Sequence, residues 1–202
     1  MKLEGKKIGF VISSSYDFER IVDELKKIVN LNTKVIPIIS KNSYTTDINS
    51  EETEEFIKQL KEITGEKILH TIQEVENLCT KDMLDIIVVA PASGNIISKL
   101  SNDIIDDIAT VTIQYHLVKQ KPVVIGISTN RGLSSAGENI GKILNRKFFY
   151  FVPFKQENPI TKPYSPVFMK IGFYSFYIFK IKCFSNCLLW GRSYIRKERI
   201  VR

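Results

Sequence analysis

Four polar segments carry the groups that could do chemistry: 13–17 (SSSYD), 40–47, 91–95 (PASGN) and 128–137 (STNRGLSSAG). Together they supply serine and threonine hydroxyls, the amides of Asn95 and Asn130, Arg131, and glycines where backbone N–H groups lie open. Such a donor set suits a phosphate and the polar edge of a heteroaromatic ring. It contains no nucleophile beside a base, so no catalytic residue is assigned. Singly, each segment reads as helix capping, because serine and asparagine favour caps and turns. All four on one edge of a sheet shift the reading toward a ligand site.

The elements between them decide whether they share an edge. Lys7–Ile12 is a short apolar run that reads as a buried strand. After Asp17, a plain N-cap, the residues Phe18, Ile21, Val22, Leu25, Ile28 and Val29 fall on one helical face. Lys34–Ile39 reads as a second strand, with Pro37 assigning it an edge or a distorted end. Further strands are expected at 84–90, 122–127 and 148–152, and a very short one at 67–70. Helices are expected at 51–63, 71–78, after Ile96, at 110–119 and at 134–144. Strands alternating with helices define an α/β chain with a parallel sheet covered by helices on both faces: a three-layer, Rossmann-like architecture. In such a sheet the four polar segments all follow strand ends, where ligands bind.

Composition limits the other classes. The chain has 202 residues with 29 basic and 22 acidic side chains, a net charge of +7. Residues 166–202 hold eight of the basic residues and one acidic residue, leaving the first 165 neutral with 21 of each. The excess charge that would point to nucleic acid or an anionic surface therefore belongs to the tail alone. No stretch is long and uncharged enough to span a membrane, and the charged N-terminus is unlike a signal peptide. Cys79 stands apart, Cys183 and Cys187 lack further ligands nearby, and His70 and His116 are the only histidines, so no metal centre is expected. Both histidines read as structural. These points define a cytosolic, reduced domain that needs neither nucleic acid nor membrane.

At residues 90–100 (APASGNIISKL), followed by Asp106 and Thr110, the sequence resembles the P-x-S/T-x-N-T…K…D…T signature of flavoprotein-type decarboxylases. More closely, it is similar to the B-subunit family of bacterial dipicolinate synthases, through GKKIGF, VIPIISKNSYTTD, ITGEKILHTIQEVE, DIIVVAPASGN, HLVKQKPVVIGISTN, NIGKILN and FYFVPFKQENPITKP. The resemblance runs from residue 5 to 165. It implies a homo-oligomeric flavoprotein fold that binds FMN. It also implies a dehydrogenase-like A subunit of dipicolinate synthase as partner, holding NAD(P). The pair would form dipicolinic acid from a dihydro- or tetrahydrodipicolinate precursor, a small cyclic dicarboxylate, in the cytoplasm of the mother cell of a sporulating bacterium. By position, Ser13 and Ser15 would line the phosphate turn, Ser93, Gly94 and Asn95 would meet flavin or substrate, and Ser128, Thr129 and Asn130 would form the opposite wall.

The chain departs from its relatives at four places. Ser14 stands where a glycine is usual, and Asn102-Asp103 replaces Asn-Gly, adding a charge. Residues 40–50 lack the histidine that the cysteine-decarboxylase branch uses, which speaks against a standalone FMN-dependent decarboxylase. Beyond residue 165 the aromatic, basic tail keeps neither helical nor strand periodicity and reads as out-of-frame translation after a frameshift. A membrane-surface anchor and a base-stacking nucleic-acid segment are the alternatives.

Overall fold

The computed structural model describes residues 3–13, 18–40, 51–81, 84–129, 131–132, 134–158 and 160–168. Five parallel strands, β1 (Lys7–Ile12), β2 (Lys34–Ile39), β3 (Ile86–Ala92), β4 (Val123–Ile127) and β5 (Phe149–Phe151), form a sheet in the order β2-β1-β3-β4-β5. The expected strands and the parallel α/β class are therefore present.

Alternate residues of each strand feed two separate cores, as the two-residue period of a strand requires. On one face, Ile8, Phe10, Ile12, Ile86, Val88 and Val124 pack with helices α1 (Phe18–Val29) and α2 (Glu51–Thr64) through Ile21, Leu25, Ile28, Phe56 and Leu60. On the other, Val11, Ile87, Val89, Val123 and Ile125 meet α3 (Ile72–Thr80), α4 (Gly94–Ser101), α5 (Ile108–Val118) and α6 (Gly137–Leu144). Among the described residues the layers are two helices, one sheet and four helices. Burial of each such side chain stabilises the domain by about 1.5–3 kcal/mol before chain entropy is set against it.

Local chemistry explains the boundaries. In α1 the apolar face is buried while Glu19, Arg20, Asp23, Lys26 and Lys27 stay exposed; the proposed cap, Asp17, lies outside the described residues. β2 is an edge strand, as Pro37 predicts. The outer edge takes Leu69 N–H onto Pro37 O and gives Ile39 N–H to Leu69 O, both at 2.9 Å. Pro37 occupies the outward-facing register of Ile39, where its missing N–H interrupts no bond to β1. The short strand expected at 67–70 is reduced to this single bridge. Thr71 and Glu74 form a reciprocal capping box at the start of α3, and the Glu74 carboxyl is held down to about 2, chiefly by the Lys67 ammonium.

Two features differ from the sequence reading. β3 runs to Ala92 rather than ending at Ala90, because Val89 pairs with Ile125 and Ala92 with Ile127. Three steps on β3 thus match two on β4, a bulge that carries the cis Ala90–Pro91 bond within the strand. An antiparallel ribbon of β6 (Phe154–Asn158) and β7 (Lys162–Phe168) follows the sheet, which periodicity did not indicate. Its strand β7 continues three residues past the compositional break at 165. The rest of the tail, with Cys183, Cys187 and Trp190, lies outside the described residues.

Candidate ligand site at the carboxyl edge of the sheet

The chain passes from β1 to β2 on one side and to β3 on the other, so the topological switch point lies between β1 and β3. In doubly wound sheets this is where a crevice opens for ligand. Ser13, immediately after β1, and Ser93, immediately after β3, meet there. Ser13 Oγ donates to Pro91 O (2.8 Å) and accepts from the Ser93 N–H (3.1 Å). Its one proton is spent on the chain itself, so Ser13 clasps the two loops rather than offering a donor to a phosphate.

We expect Ser13→Ala to leave the part-buried Ser93 N–H without its side-chain partner and to cost about 1–2 kcal/mol, read by urea denaturation with an unchanged m-value. An unaltered midpoint would show that Ser13 does not fasten these loops.

Ser93 is also the N-cap of α4, accepting from Ile96 N–H (3.4 Å). The Ile97 N–H goes to Ser93 O, while the Gly94 and Asn95 N–H groups open the helix with no partner among the described residues. Open N–H groups at the positive end of a helix favour an anion. Asn95 is exposed beside them.

The opposite wall follows β4. Ser128 N–H donates to Ala92 O (3.0 Å), tying the two strand ends together. Thr129 Oγ1 accepts from Arg131 N–H (3.4 Å), which leaves its own proton available to a ligand. A Cβ on Gly94 would lie 2.9 Å from Thr129 Oγ1, so only glycine allows this approach. The structure therefore brings together Ser13, Ser93, Gly94, Asn95, Ser128 and Thr129. Ser15, Asn130, Ser14 and the segment 41–50 lie outside the described residues.

The remaining signature residues serve the scaffold. Lys99 Nζ reaches Asp106 (2.7 Å) and Asp107 (2.8 Å), joining α4 to α5. Asp107, rather than Asp106, is the N-cap of α5 and shares a capping box with Thr110. Burial pushes the Asp107 carboxyl up, but Lys99 and the Thr110 N–H outweigh it and hold the carboxyl below its ordinary value. Burial likewise opposes the charge on Lys99, yet the two aspartates raise its pKa.

The extra charge of Asp103 lies at the far end of α4, which at eight residues is about 12 Å long. There Arg146 binds both its carboxylate oxygens (2.5 and 2.8 Å) as well as Leu100 O and Ser101 O. Asp103 has φ 56°, a left-handed conformation that glycine adopts most readily. The departure is thus neutralised away from the site.

The two histidines stand apart from this cluster. His116 is buried near the end of α5, at the amino edge of the sheet. His70 precedes α3, with its N–H on Glu74. Cys79 is buried, which pushes its thiol up. No cluster of metal-ligating residues occurs among the described residues, and no described helix is long and apolar enough to cross a membrane.

A parallel sheet with polar residues after its strand ends and a helix N-terminus at its switch point defines a doubly wound α/β protein. The chain belongs to the Flavoprotein family, whose model matches residues 1–149. It is homologous to the B subunit of dipicolinate synthase. That protein from Bacillus subtilis (strain 168) is 34% identical over 166 residues, covering 82% of this chain and 83% of the relative. The crystal structure of the dipicolinate synthase B subunit from Bacillus halodurans superposes with a TM-score of 0.77 at 35% identity, covering 87% and 90% of the two chains. The fold is also that of the FMN-dependent cysteine decarboxylase SpaF, with a TM-score of 0.63 at 13% identity over 86% of this chain and 95% of that one.

Proposed function

We propose that this chain is the B subunit of a two-subunit dipicolinate synthase and that it binds FMN at the carboxyl edge of its sheet. Similarity to known B subunits over more than four-fifths of the chain carries the reading. The donor set fits the cofactor's chemistry. The Gly94 and Asn95 N–H groups suit a phosphate or carboxylate, while the Thr129 hydroxyl and the Asn95 amide suit the polar rim of a ring. Ser93 and Ser128 fix the two walls through backbone bonds. Ser13 holds them at the switch point, and Ser15 and Asn130 complete the proposed set.

The substrate is a dihydro- or tetrahydrodipicolinate, whose conversion to dipicolinic acid removes electron pairs and protons until the ring is aromatic. FMN, when bound, supplies an acceptor for an electron pair. This chain's own residues bind and orient. The open N-terminus of α4 holds an anionic group by charge, and Gly94 lets the ring come close to backbone. The Ser13 clasp keeps that terminus in place. The partner is a dehydrogenase-like A subunit that carries NAD(P), and the chain assembles with copies of itself in the cytoplasm of the mother cell. The functional domain expected at residues 1–165 runs on to the end of β7 at Phe168, and the tail follows it.

The test is a visible absorption spectrum of the purified protein, alone and with an A-type subunit, alongside an assay for dipicolinate. Flavin bands, and dipicolinate formed only when both subunits are present, are expected. Lack of flavin bands in both samples would remove FMN from the reaction. Product from the A subunit alone at the full rate would remove this chain from it.

A further inference from the structure

The β6–β7 ribbon touches the sheet at one informative place. β7 packs beside β4, and its Pro166 is buried against Gly132, in the turn after Thr129. A Cβ on Gly132 would fall 2.2 Å from Pro166 Cγ and 2.6 Å from Pro166 Cδ, inside the ring. The same Cβ would lie 3.2 Å from Thr129 Cγ2. Thr129 therefore lies between two glycines, each too close to it to carry a side chain without a shift. Its hydroxyl faces Gly94 at the start of α4, and its methyl faces Gly132, which is backed by a rigid proline. A β-branched side chain has few χ1 choices, so fixing the methyl also fixes where the hydroxyl points. The line Gly94–Thr129–Gly132–Pro166 leads from the candidate site to a ribbon outside the parallel sheet.

We propose that the β6–β7 ribbon, through Pro166 on Gly132, holds the Thr129 hydroxyl against the N-terminus of α4, making Gly132 and Pro166 positioning residues of the ligand site. This rests on the reading of that site as the flavin site. Neither residue touches the ligand. Gly132 transmits the position of the ribbon because it has no side chain to keep Pro166 away, and Pro166 transmits it because its ring cannot rotate aside.

The test is a double-mutant cycle on the full chain, with FMN as the probe and flavin fluorescence as the readout, beside amide hydrogen exchange at Thr129 and Arg131. Gly132→Ala drives a methyl into the proline ring and is expected to weaken FMN by about tenfold. Pro166→Ala removes the ring atoms concerned and is expected to weaken FMN by about threefold, because the methyl of Thr129 loses its backing. The double variant is expected to bind better than Gly132→Ala alone, a recovery that general destabilisation would not produce.

FMN affinity unchanged in Gly132→Ala, or a double variant no better than that single, overturns the proposal. If the wild-type chain binds no FMN, the flavin reading fails, and exchange decides the positioning claim. Faster exchange at Thr129 and Arg131 in Gly132→Ala, restored in the double variant, upholds it, and unchanged exchange overturns it. Should Gly132→Ala not fold, Pro166→Ala decides by the same two readouts: weaker FMN or faster exchange upholds the proposal, and no change in either overturns it.

Discussion

Replacing Gly94 with valine is expected to weaken FMN binding by about a hundredfold while leaving the fold intact. The Cβ alone would stand 2.9 Å from Thr129 Oγ1, closer than two such atoms settle, and valine adds two methyls to it. Thr129 would be forced off α4, and the open N–H groups of Gly94 and Asn95 would be roofed by carbon. The first position of a helix tolerates many residue types, because its N–H has no intrahelical partner to lose. Unfolding midpoint and far-ultraviolet circular dichroism should therefore change little. The check is a fluorescence titration of FMN against both proteins. Equal affinities would show that the ligand does not lie over Gly94, and a collapsed circular-dichroism spectrum would show that the position serves folding instead.

The second large effect is on stability. Lys99→Met keeps most of the aliphatic packing of the lysine but removes the ammonium from between Asp106 and Asp107. Lys99 is 15% exposed and Asp107 21%, so the abandoned carboxylate is only partly solvated and sits next to a second one. Breaking a pair of this kind is expected to cost about 3 kcal/mol, at the low end for buried pairs. In a chain of this size that corresponds to a midpoint lowered by about 6–12 °C.

The pH dependence has a definite sign. The folded-state pKa of Asp107 is depressed, so its contribution is complete above the ordinary 3.8 and fades as pH falls through the folded value. That of Lys99 is raised, so its contribution is complete below 10.5 and is lost as pH rises through the folded value. The difference between wild type and Lys99→Met should thus be largest across the neutral range and shrink at both extremes. A difference that stays constant from acid to alkali would show that packing, and not charge, links α4 to α5.

These two substitutions fall within one short stretch whose composition marks it at once, yet they act on different properties. Gly94 opens α4 and serves the site. Lys99, one turn and a half further on, has its ammonium turned toward the start of α5 and serves the scaffold. In the linear sequence both belong to a single signature with Asp106 and Thr110. Spacing cannot separate them, because which side chains face the crevice depends on how α4 crosses the sheet and where α5 begins. The cap of α5 illustrates the point. Asp106 and Asp107 are chemically alike, and only the backbone conformation at 107 selects the second as N-cap.

Ser13 shows the same division. Its type and place after β1 marked it as a ligand to phosphate, and in the structure it lies at the switch point. Its hydroxyl is committed to Pro91 because the switch point brings the ends of β1 and β3 together, a contact between residues nearly eighty positions apart. Gly132 and Pro166 left no comparable mark. A glycine in a polar turn and a proline in a strand without alternation are ordinary, and their meaning lies in a contact across 34 residues. Antiparallel pairing of β6 with β7 was equally illegible, since neither FKQEN nor KPYSPVF alternates apolar with polar residue types.

By itself, the sequence determined the parallel α/β class, the reading of β2 as an edge or distorted strand, and the polar residues that follow β1, β3 and β4. Each of these follows from local periodicity, backbone sterics and turn chemistry, which act over a few residues. Tertiary structure alone decided that Ser13 is a clasp, that Asp103 is neutralised by Arg146 away from the site, and that Thr129 is held between two glycines. Those outcomes depend on which distant groups meet, and burial of the two cores settles that.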